Sequence, residues 1–304
     1  MKQLVILSGK GGTGKTTVAA ALGYLASPER SLVLADADVD AANLELVLGP
    51  QKQGEHVFLS GQRAVVDPQA CTACGICAEV CRFDAVFPGE EAYRIDASAC
   101  EGCASCSYRC PTGAIRMEEQ RAGLWFRSDT RFGPLFHARL FAGQENSGKL
   151  VTLVKQQARL LALEEGRDLV LVDGPPGIGC PVIASLAGAN LALLVTEPTV
   201  AGVHDLERAL RTARHFGVPA LICLNKADLN RDRSQEVEAF CQAEGIPLVG
   251  RVPFDPVVTE AMVRGQPVTE YDDGLVTQEL RRMWEKVKGH LYGLGRCPVQ
   301  RNAA

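Results

Sequence analysis

The sequence predicts an α/β protein in which a mostly parallel sheet, with helices on both faces, is interrupted by a small α+β insertion. Short apolar runs such as LVILS, DLVLV and NLALLV recur between helix-length segments, which is typical of strands buried on both sheet faces. This rhythm stops between about residues 60 and 118, where apolar runs are scarce and cysteines are dense. We therefore predict a discontinuous α/β domain over 1–60 and 119–292, an insertion over 61–118 and a tail over 293–304.

The composition is that of a globular protein and excludes several functional classes. Of the 304 residues, 46% are hydrophobic and 22% are charged, and the net charge of -4 argues against a nucleic-acid-binding protein, which usually carries a basic surface. No apolar run approaches the roughly 18 to 20 residues that span a bilayer. The first residues do not have the form of a signal peptide. We therefore expect a cytoplasmic protein that is not integral to a membrane.

A glycine-rich loop follows the first predicted strand. Residues 8–17 read SGKGGTGKTT and contain the pattern G-x-x-x-x-G-K-[ST] between a strand and a helix former. Backbone N–H groups and the helix N-terminus would surround phosphate oxygens, Lys15 would reach the β- and γ-phosphates, and Thr16 would ligate Mg²⁺. The alternative is a glycine-rich turn with a chance lysine, but the strand–loop–helix context favours a phosphate loop. The predicted nucleotide contacts are Gly9, Gly11, Gly12, Thr13, Gly14, Lys15, Thr16 and Thr17.

The stretch GKGGTGKTT resembles the deviant phosphate loop of the MinD, ParA, Mrp and nitrogenase-iron-protein ATPases. In that family the additional lysine, here Lys10, reaches across a dimer interface to the partner's nucleotide. The resemblance therefore implies a P-loop NTPase sheet, an ATPase activity that is low without a partner, and a nucleotide-dependent homodimer. It also implies catalytic roles for Lys10 and Lys15.

Two aspartate-bearing strand ends extend the resemblance. LADADVDAANL (34–44) resembles the first switch of the family, which implies that Asp38 orients or deprotonates the attacking water and that Asp36 supports Mg²⁺. LVLVDGPPGIG (169–179) resembles the second switch, which implies that Asp173 contacts the Mg²⁺ shell and that Gly177 donates its N–H to the γ-phosphate. Taken singly, each aspartate is also compatible with an ordinary turn at a strand end.

The base of the nucleotide has two possible identities. LNKAD (224–228) matches the N-K-x-D pattern with which many GTPases bind guanine. The resemblance instead favours ATP, with adenine held between the Asn at this strand end and the later VPFDP loop. We therefore predict ATP and Mg²⁺ as ligands and leave GTP open as the alternative. The predicted base contacts are Asn225, Pro253, Phe254 and Asp255.

Eight of the twelve cysteines form two runs with the same spacing, C-x2-C-x2-C-x3-C. The runs resemble a bacterial ferredoxin with two [4Fe–4S] clusters, and such motifs exchange their fourth ligand. The resemblance implies one cluster on Cys71, Cys74, Cys77 and Cys110, and another on Cys100, Cys103, Cys106 and Cys81. Arg82 departs from the motif, which has proline there. Zinc is the competing interpretation, because C-x2-C pairs also bind Zn²⁺.

The remaining cysteines, Cys180, Cys223, Cys241 and Cys297, are scattered and are predicted to be small core residues rather than ligands or disulfide partners. The five histidines are dispersed and show no ligand spacing. Ser147-Gly148-Lys149 is either a nucleotide or partner contact or the start of a helix. The last apolar-periodic segment, 275–292, carries basic residues and either packs on the sheet or lies on a membrane surface.

Three functions fit these motifs. The first is an ATP-gated carrier that passes electrons through two [4Fe–4S] clusters to an unidentified redox partner. The second is an iron–sulfur assembly or carrier ATPase of the Mrp type, although such proteins use paired C-terminal cysteines and only Cys297 lies that far along. The third is a positioning or regulatory ATPase similar to MinD and ParA. The first accounts for both sets of motifs and is the main prediction.

Overall fold

The structure is a computed structural model, and it describes residues 1–144 and 146–293. The predicted tail beyond Gly293 and the scattered Cys297 lie outside the described residues. All eleven cysteines within the described ranges are free thiols.

Eleven strands and eleven helices make up these ranges. The strands are β1 (Lys2–Ser8), β2 (Leu32–Asp36), β3 (Gln51–Val66), β4 (Val86–Phe87), β5 (Arg94–Ile95), β6 (Ile115–Thr130), β7 (Gly133–Leu140), β8 (Leu169–Pro176), β9 (Leu191–Thr196), β10 (Ala220–Asn225) and β11 (Leu248–Val252). The helices are α1 (Lys15–Ala26), α2 (Leu44–Leu48), α3 (Ile76–Glu79), α4 (Ser105–Arg109), α5 (Ser147–Glu164), α6 (Cys180–Leu186), α7 (Val200–His215), α8 (Arg231–Ala243), α9 (Val257–Val263), α10 (Val268–Tyr271) and α11 (Leu275–Leu291).

The principal sheet has the order β11-β10-β9-β1-β8-β2-β7-β6-β3. Each neighbouring pair from β11 to β7 is parallel. This arrangement confirms the predicted α/β class and the mostly parallel sheet. Because strands on both sides of β1 run parallel to it, the loops that follow β1, β8, β2 and β9 meet at one edge of the sheet, where α/β proteins bind ligands.

The central strands are buried on both faces, as their continuous apolar sequences predict. Leu4 and Ile6 of β1 belong to a core that includes side chains of α1 and α11. The intervening Val5 and Leu7 are also buried, and α6 and α7 contact β1. Since successive side chains of a strand point to opposite faces, helices cover the sheet on both sides.

The chain divides into two compact units. Unit 1 comprises Met1–His56, Trp125–Arg139 and the described residues from Ser147 to Gly293, and unit 2 comprises Val57–Leu124 and Leu140–Asn146. Strands β3 and β6 have 16 residues each, and the expected boundaries of the insertion at 60 and 118 fall inside them. These strands are largely polar and half-exposed, so they lack the apolar runs by which the buried strands were identified.

Unit 2 contains two short helices, α3 and α4, and the antiparallel pair of β4 and β5. Its hydrophobic cluster consists of Ala64, Cys77, Val86, Cys106 and Ile115, with half-buried neighbours around them. Two of these five side chains are cysteines from the runs. The interior of this unit therefore consists partly of thiols.

Helix α11 packs into unit 1 through one face. Val276, Leu280, Trp284 and Val287 of α11 are buried in the main core, whereas Leu275, the first residue of the helix, is 69% exposed. Packing within the α/β unit, rather than a membrane surface, accounts for the apolar face of this helix. Within the described residues, no helix is both long enough and apolar enough to cross a bilayer.

His137 is the buried histidine of unit 1. Its Nδ1 lies 3.0 Å from Glu45 Oε2, and its Nε2 lies 3.0 Å from Ser128 Oγ. Burial lowers the pKa of His137, and the nearby Glu45 carboxylate only partly opposes this shift. The contacts of His137 connect α2, β6 and β7, so this histidine has a structural role.

Candidate functional site

A cavity of about 940 Å³ opens within unit 1 at the carboxyl edge of β1. Twelve of the predicted nucleotide residues line it: Gly11, Gly12, Thr13, Gly14, Lys15, Thr16, Thr17, Asp38, Asn225, Pro253, Phe254 and Asp255. The other predicted residues of this site are in the described ranges but do not line the cavity: Gly9, Lys10, Asp36, Asp173 and Gly177. The motifs from four separate segments thus converge on one site.

Two glycines of the phosphate loop are required by close packing. A Cβ at Gly9 would collide with the backbone and Cβ of Asp205 on α7, and a Cβ at Gly14 would collide with the Asn225 side chain. Gly14 also has a φ of 90°, in the left-handed region that favours glycine. Asn225 Nδ2 donates to the Thr13 carbonyl at 2.8 Å. The loop is therefore held from the ends of other strands as well as by its own sequence.

Lys15 begins α1 and lies between two aspartates. Its Nζ is 2.9 Å from Asp173 Oδ1 and 3.4 Å from Asp38 Oδ2, and its side chain is 6% exposed. Burial alone would lower the pKa of Lys15, but the charges of Asp173 and Asp38 outweigh burial and raise it. The lysine is therefore a buried cation at the inner end of the cavity, and anionic phosphates would compete with the aspartates for it.

Asp36 organises the segment that follows β2. It is fully buried, and its two carboxylate oxygens accept from the Asp38 N–H at 3.1 Å and the Leu44 N–H at 3.0 Å. Burial, followed by the nearby charge of Asp173, raises the pKa of Asp36 to about 8. Asp36 therefore fixes both ends of the 38–44 loop. A buried residue with these contacts would support the Mg²⁺ site indirectly rather than act as an exposed ligand.

The donor set at this edge fits a hard divalent cation. Asp173 Oδ2 is buried and has no hydrogen-bond partner among the described residues, while Oδ1 pairs with Lys15. Thr16 lines the cavity beside Lys15. Carboxylate and hydroxyl oxygens together with nucleotide phosphates are the ligands that Mg²⁺ uses in nucleotide sites. Asp173 and Thr16 are therefore the residues that would hold it.

Two predicted contacts have other partners in the structure. The Gly177 N–H donates to the Ser8 carbonyl at 2.9 Å, so a hydrogen bond to the γ-phosphate would need this bond to open. Ser147 to Lys149 form the first turn of α5, where Gly148 packs against Cys180, and they do not line the cavity. The helix-start interpretation of this segment is therefore the one that the structure favours.

Lys10 makes its contacts within its own subunit. Its Nζ lies 2.6 Å from Glu197 Oε1 and 3.4 Å from Thr199 Oγ1. Lys226 Nζ approaches the other oxygen of Glu197 at 2.9 Å and donates to the Gly12 carbonyl at 3.0 Å. The sequence analysis missed Glu197 and Lys226 as site residues. Their position directly after β9 and β10, neighbours on the β1 side of the sheet, is the signal that could have identified them.

The outer part of the cavity is apolar, as a base-binding region requires. Val252, Phe254, Val258 and Met262 line it, and Phe254 is 49% exposed. Asp228, the last residue of the N-K-x-D pattern, accepts the Phe254 N–H at 2.6 Å. This aspartate holds the 253–255 loop in place, a role that differs from the guanine contact the pattern suggests.

Within unit 2, the eight cysteines of the runs line two small cavities. One is lined by Cys71, Cys74, Cys77 and Cys110, and the other by Cys81, Cys100, Cys103 and Cys106. Each cavity therefore receives three thiols from one run and the fourth from the other run. In the described ranges, no three or more His, Cys, Asp or Glu side chains are placed around a common point in the way a single metal ion requires.

The two runs have the same backbone as well as the same spacing. Left-handed φ values occur at the second residue after the first cysteine (Ala73, 51°; Gly102, 66°), at the fourth (Gly75, 83°; Ala104, 61°) and at the third after the last cysteine (Asp84, 48°; Gly113, 66°). At each pair one of the two residues is glycine and the other is not. The repeat therefore preserves a conformation that non-glycine residues rarely adopt.

Backbone N–H groups point at the thiols at matching positions. Ala85 N donates to Cys81 Sγ at 3.4 Å, and Ala114 N donates to Cys110 Sγ at 3.3 Å. Cys103 Sγ also lies 3.5 Å from Ser105 Oγ, and hydrogen bonds from Ser105 lower the pKa of the Cys103 thiol. Hydrogen-bond donors aimed at sulfur stabilise thiolates, the form that binds metal.

The sequence and the fold are similar to those of known proteins. A family model described as the CobQ/CobB/MinD/ParA nucleotide binding domain matches residues 4–268. An uncharacterized protein of Methanocaldococcus jannaschii is 30% identical over 286 residues, which cover 94% of this chain and 96% of that protein. The septum site-determining protein MinD of Synechocystis sp. is 26% identical over 291 residues, covering 93% and 88%. The solved MinD of Pyrococcus horikoshii OT3, complexed with Mg-ADP, superposes with a TM-score of 0.59 at 22% identity, covering 96% and 98%.

Proposed function

The chain belongs to the CobQ/CobB/MinD/ParA nucleotide-binding family, and from this premise we propose that it is an ATPase of the MinD and ParA type that binds Mg-ATP in the unit 1 cavity. The observation that carries the proposal is Lys15, a buried cation that faces Asp38 and Asp173 at the inner end of that cavity. Relatives named septum site-determining protein MinD support this class, as does a relative named an ATP-binding protein. They favour a MinD/ParA-like switch over the electron carrier as the primary function.

Each residue of the site would have a separate role in phosphoryl transfer. Lys15 would exchange its aspartate partners for the β- and γ-phosphates, and Thr16 and Asp173 would hold Mg²⁺, which neutralises the charge that develops on the phosphates. Asp38 would orient the attacking water from a loop that Asp36 holds at both ends. Because the protein supplies positioning rather than covalent chemistry, hydrolysis would act mainly by changing the 38–44 and 174–179 segments.

ATP is the favoured nucleotide, and the subunit is proposed to act as a homodimer. Asp228 is engaged by the Phe254 N–H, which leaves an apolar base region bounded by Asn225 and the 253–255 loop. Lys10 is assigned to the partner's nucleotide on the resemblance of its loop. The Mg-ADP complex of the archaeal MinD and the ATP complex of Cyanothece McdA, which are similar in fold, support an adenine nucleotide.

Calorimetric titration with ATP, ADP and GTP in Mg²⁺, followed by phosphate-release assays, tests this function. We expect ATP binding and slow hydrolysis in the wild type, and retained binding with little hydrolysis in Asp38→Ala. Asp255→Asn serves as a matched variant, because it keeps the loop but lies at the base end of the cavity, so it should alter affinity more than turnover. Equal turnover in the wild type and Asp38→Ala would remove Asp38 from this role, and tighter binding of GTP than of ATP would reverse the nucleotide assignment.

We propose as a second activity that unit 2 holds two [4Fe–4S] clusters whose contact with a redox partner depends on the nucleotide. The observation that favours it is the exchange of the fourth thiol between two cavities, together with a repeat of backbone φ values. In such a cluster each iron is bound by one thiolate, so the four thiols surround the cluster. They do not converge on a single metal ion. Bound clusters would supply one-electron transfer, and the eight cysteines would hold them.

Iron, sulfide and zinc quantitation after anaerobic purification tests the second activity. Cys110→Ser should remove the cluster held with Cys71, Cys74 and Cys77, Cys81→Ser should remove the other, and Cys180→Ser, an exposed thiol of unit 1, should remove neither. Loss of the opposite cluster in each case would refute the exchanged ligation, and zinc in place of iron would refute the clusters. Cluster potentials measured with and without ATP separate gating from the alternative of an Mrp-type carrier, for which transfer to an apo-acceptor without a shift in potential is expected.

A further inference from the structure

Glu197 stands at the end of β9, beside the phosphate loop that follows β1. It is 9% exposed and faces two ammonium groups, Lys10 at 2.6 Å and Lys226 at 2.9 Å, one at each carboxylate oxygen. Its backbone is tightly packed, because a Cβ at Gly202 would collide with the Glu197 carbonyl. The carboxylate is therefore held in place from both its backbone and its side chain.

Both lysines belong to the phosphate-loop region. Lys10 is part of the loop, and Lys226 reaches the loop through the Gly12 carbonyl at 3.0 Å. Lys226 also has a φ of 55°, a left-handed conformation that costs free energy in a residue other than glycine. The position of Lys226 is thus determined by several contacts at once. Lys10 has fewer constraints, since its other acceptor is Thr199 Oγ1 at 3.4 Å and its side chain is 33% exposed.

The charge balance makes Glu197 a counter-ion. Although burial raises the pKa of Glu197, hydrogen bonds from Lys10 and Lys226 outweigh burial and lower it. The group is therefore an anion at neutral pH, and it competes with any other anion for Lys10. Nucleotide phosphates are such anions, and the phosphate loop that carries Lys10 lines the cavity in which they would lie.

We propose that Glu197 is a positioning residue that holds Lys10 against its own subunit, and that this ion pair must open before Lys10 contacts a nucleotide phosphate. The inference deepens the proposed function and rests on it for the identity of the phosphate. In the proposed homodimer Lys10 would reach the nucleotide of the partner, so opening of the Lys10–Glu197 pair would be a step of dimer formation. Lys226 remains on Gly12 and keeps the loop in shape while Lys10 leaves.

The first experiment measures the pair without any dimer. The wild type and Glu197→Gln are treated with an amine-reactive reagent in the absence of nucleotide, and labelling of Lys10 is followed by peptide mass spectrometry with the exposed Lys286 as internal reference. We expect Lys10 to label about two- to fivefold faster in the variant, the effect of losing an ion pair with one partly exposed member. Equal rates would overturn the proposal. Glu197→Asp, which keeps the charge on a shorter side chain, should lie between the two.

The second experiment measures the consequence for assembly. Sedimentation in Mg-ATP should show half-dimerisation of Glu197→Gln at a protein concentration about two- to fivefold lower than for the wild type, the same loss of one such ion pair. In a Lys10→Ala background, Glu197→Gln should give no such gain over Lys10→Ala alone, because the effects of coupled residues are not additive. A gain that persists without Lys10 would overturn the proposal. Glu244→Gln, which removes the remote surface pair with Arg214, is the control for charge and should change neither readout.

These readouts distinguish failure of the inference about Glu197 from failure of the proposed function. If neither protein dimerises with ATP, the homodimeric part of the proposed function fails, and the labelling of Lys10 still decides whether Glu197 holds it. If both proteins dimerise at the same concentration while Lys10 labels faster in Glu197→Gln, opening of the pair is not a step of assembly, and that part of the inference is wrong. Thermal unfolding of the variants in parallel shows whether both are folded.

Discussion

Unit 1 and unit 2 differ in what fills their interiors. Unit 1 has a continuous apolar core in which strand residues such as Leu4, Leu171 and Leu193 are fully buried. Unit 2 has a small cluster of five buried side chains, and Cys77 and Cys106 are two of them. Apolar burial contributes about 25 cal/mol per Å², so it can stabilise the first unit but supplies little in the second. The comparison predicts that unit 2, with its small apolar interior, depends more than unit 1 on any group that its thiols bind.

If unit 2 holds the proposed clusters, removal of their metal should have the greatest effect. Chelation under reducing conditions should then abolish hydrogen-exchange protection across residues 61–118, because ligand binding and folding are coupled in such small sites. Protection in the strands of unit 1 and ATP binding should stay unchanged. Hydrogen exchange followed by mass spectrometry measures both regions in one sample. Full hydrogen-exchange protection of 61–118 after complete metal loss would contradict the predicted difference between the two units.

Thiol alkylation gives an internal control for that experiment. Burial raises the pKa of Cys223 to about 12, and burial with the nearby Glu238 raises that of Cys241 to about 11, so neither should react at pH 8. The exposed Cys74 and Cys103 of unit 2 should react once the metal is removed. Reaction of Cys223 under the same conditions would mean that chelation had unfolded unit 1 as well.

The next largest effect is expected at the nucleotide site. Lys15→Ala should weaken ATP binding by more than about a hundredfold, since two charge-assisted hydrogen bonds of about 1.5–3 kcal/mol each are lost. Iron content should not change, because the substitution lies in unit 1. Calorimetry and metal quantitation on the same preparation measure the two quantities. Lys149→Ala, a lysine in the first turn of α5, is the matched control and should bind ATP normally.

Core substitutions test the same difference between the units through smaller changes in the free energy of unfolding. Leu193→Ala in β9 should lower the free energy of unfolding of unit 1 by about 2–5 kcal/mol, as large-to-small substitutions in packed cores do. Val86→Ala in unit 2 should cost about 1–2 kcal/mol from lost apolar burial. Denaturant titration with hydrogen exchange assigns each loss to its unit. A larger cost at Val86 than at Leu193 would contradict the difference between the two interiors.

The smallest effect concerns one hydrogen bond of the loop. Asn225→Ala removes the donor to the Thr13 carbonyl and should weaken ATP binding by a factor of about five, the equivalent of roughly 1 kcal/mol. Asn190→Ala is the matched control, because its side chain accepts from the Gln3 N–H at 2.8 Å near the start of β1, the strand end that is remote from the loop. It should change stability slightly and ATP affinity not at all. Equal effects on affinity would mean that Asn225 acts only through the stability of the sheet.

The sequence was sufficient for the parts of the molecule that local pattern determines. Continuous apolar runs identified the buried parallel strands, and the phosphate loop was recognised because its glycines and Lys15 lie within nine residues. The family prediction is confirmed by the match over residues 4–268. The relatives support the MinD/ParA-like ATPase, which was an alternative in the sequence analysis, better than the electron carrier, which was the main prediction. The cluster ligands and the individual site roles stay predictions.

The features that sequence missed depend on contacts between distant segments. Glu197 and Lys226 directly follow β9 and β10, which brings them to the same edge of the sheet as the phosphate loop, but their pairing there depends on contacts between separate strands. The polar strands β3 and β6 lack the apolar periodicity that identifies a strand. Asp38 and Lys10 were predicted from motifs that specify their types but not their partners, so the ion pairs with Lys15 and Glu197 had to come from the structure.

The exchange of one cysteine between the two cavities of unit 2 has an evolutionary consequence. Because Cys110 lines the cavity of the first run and Cys81 that of the second, neither half of the repeat supplies all four thiols of either cavity. If the cavities hold the proposed clusters, a deletion that removed one half would destroy both sites rather than leave a working single-site protein. Descendants of this chain should therefore keep the pair together or lose it whole, and a shortened natural variant with one intact run would have to recruit a new fourth ligand.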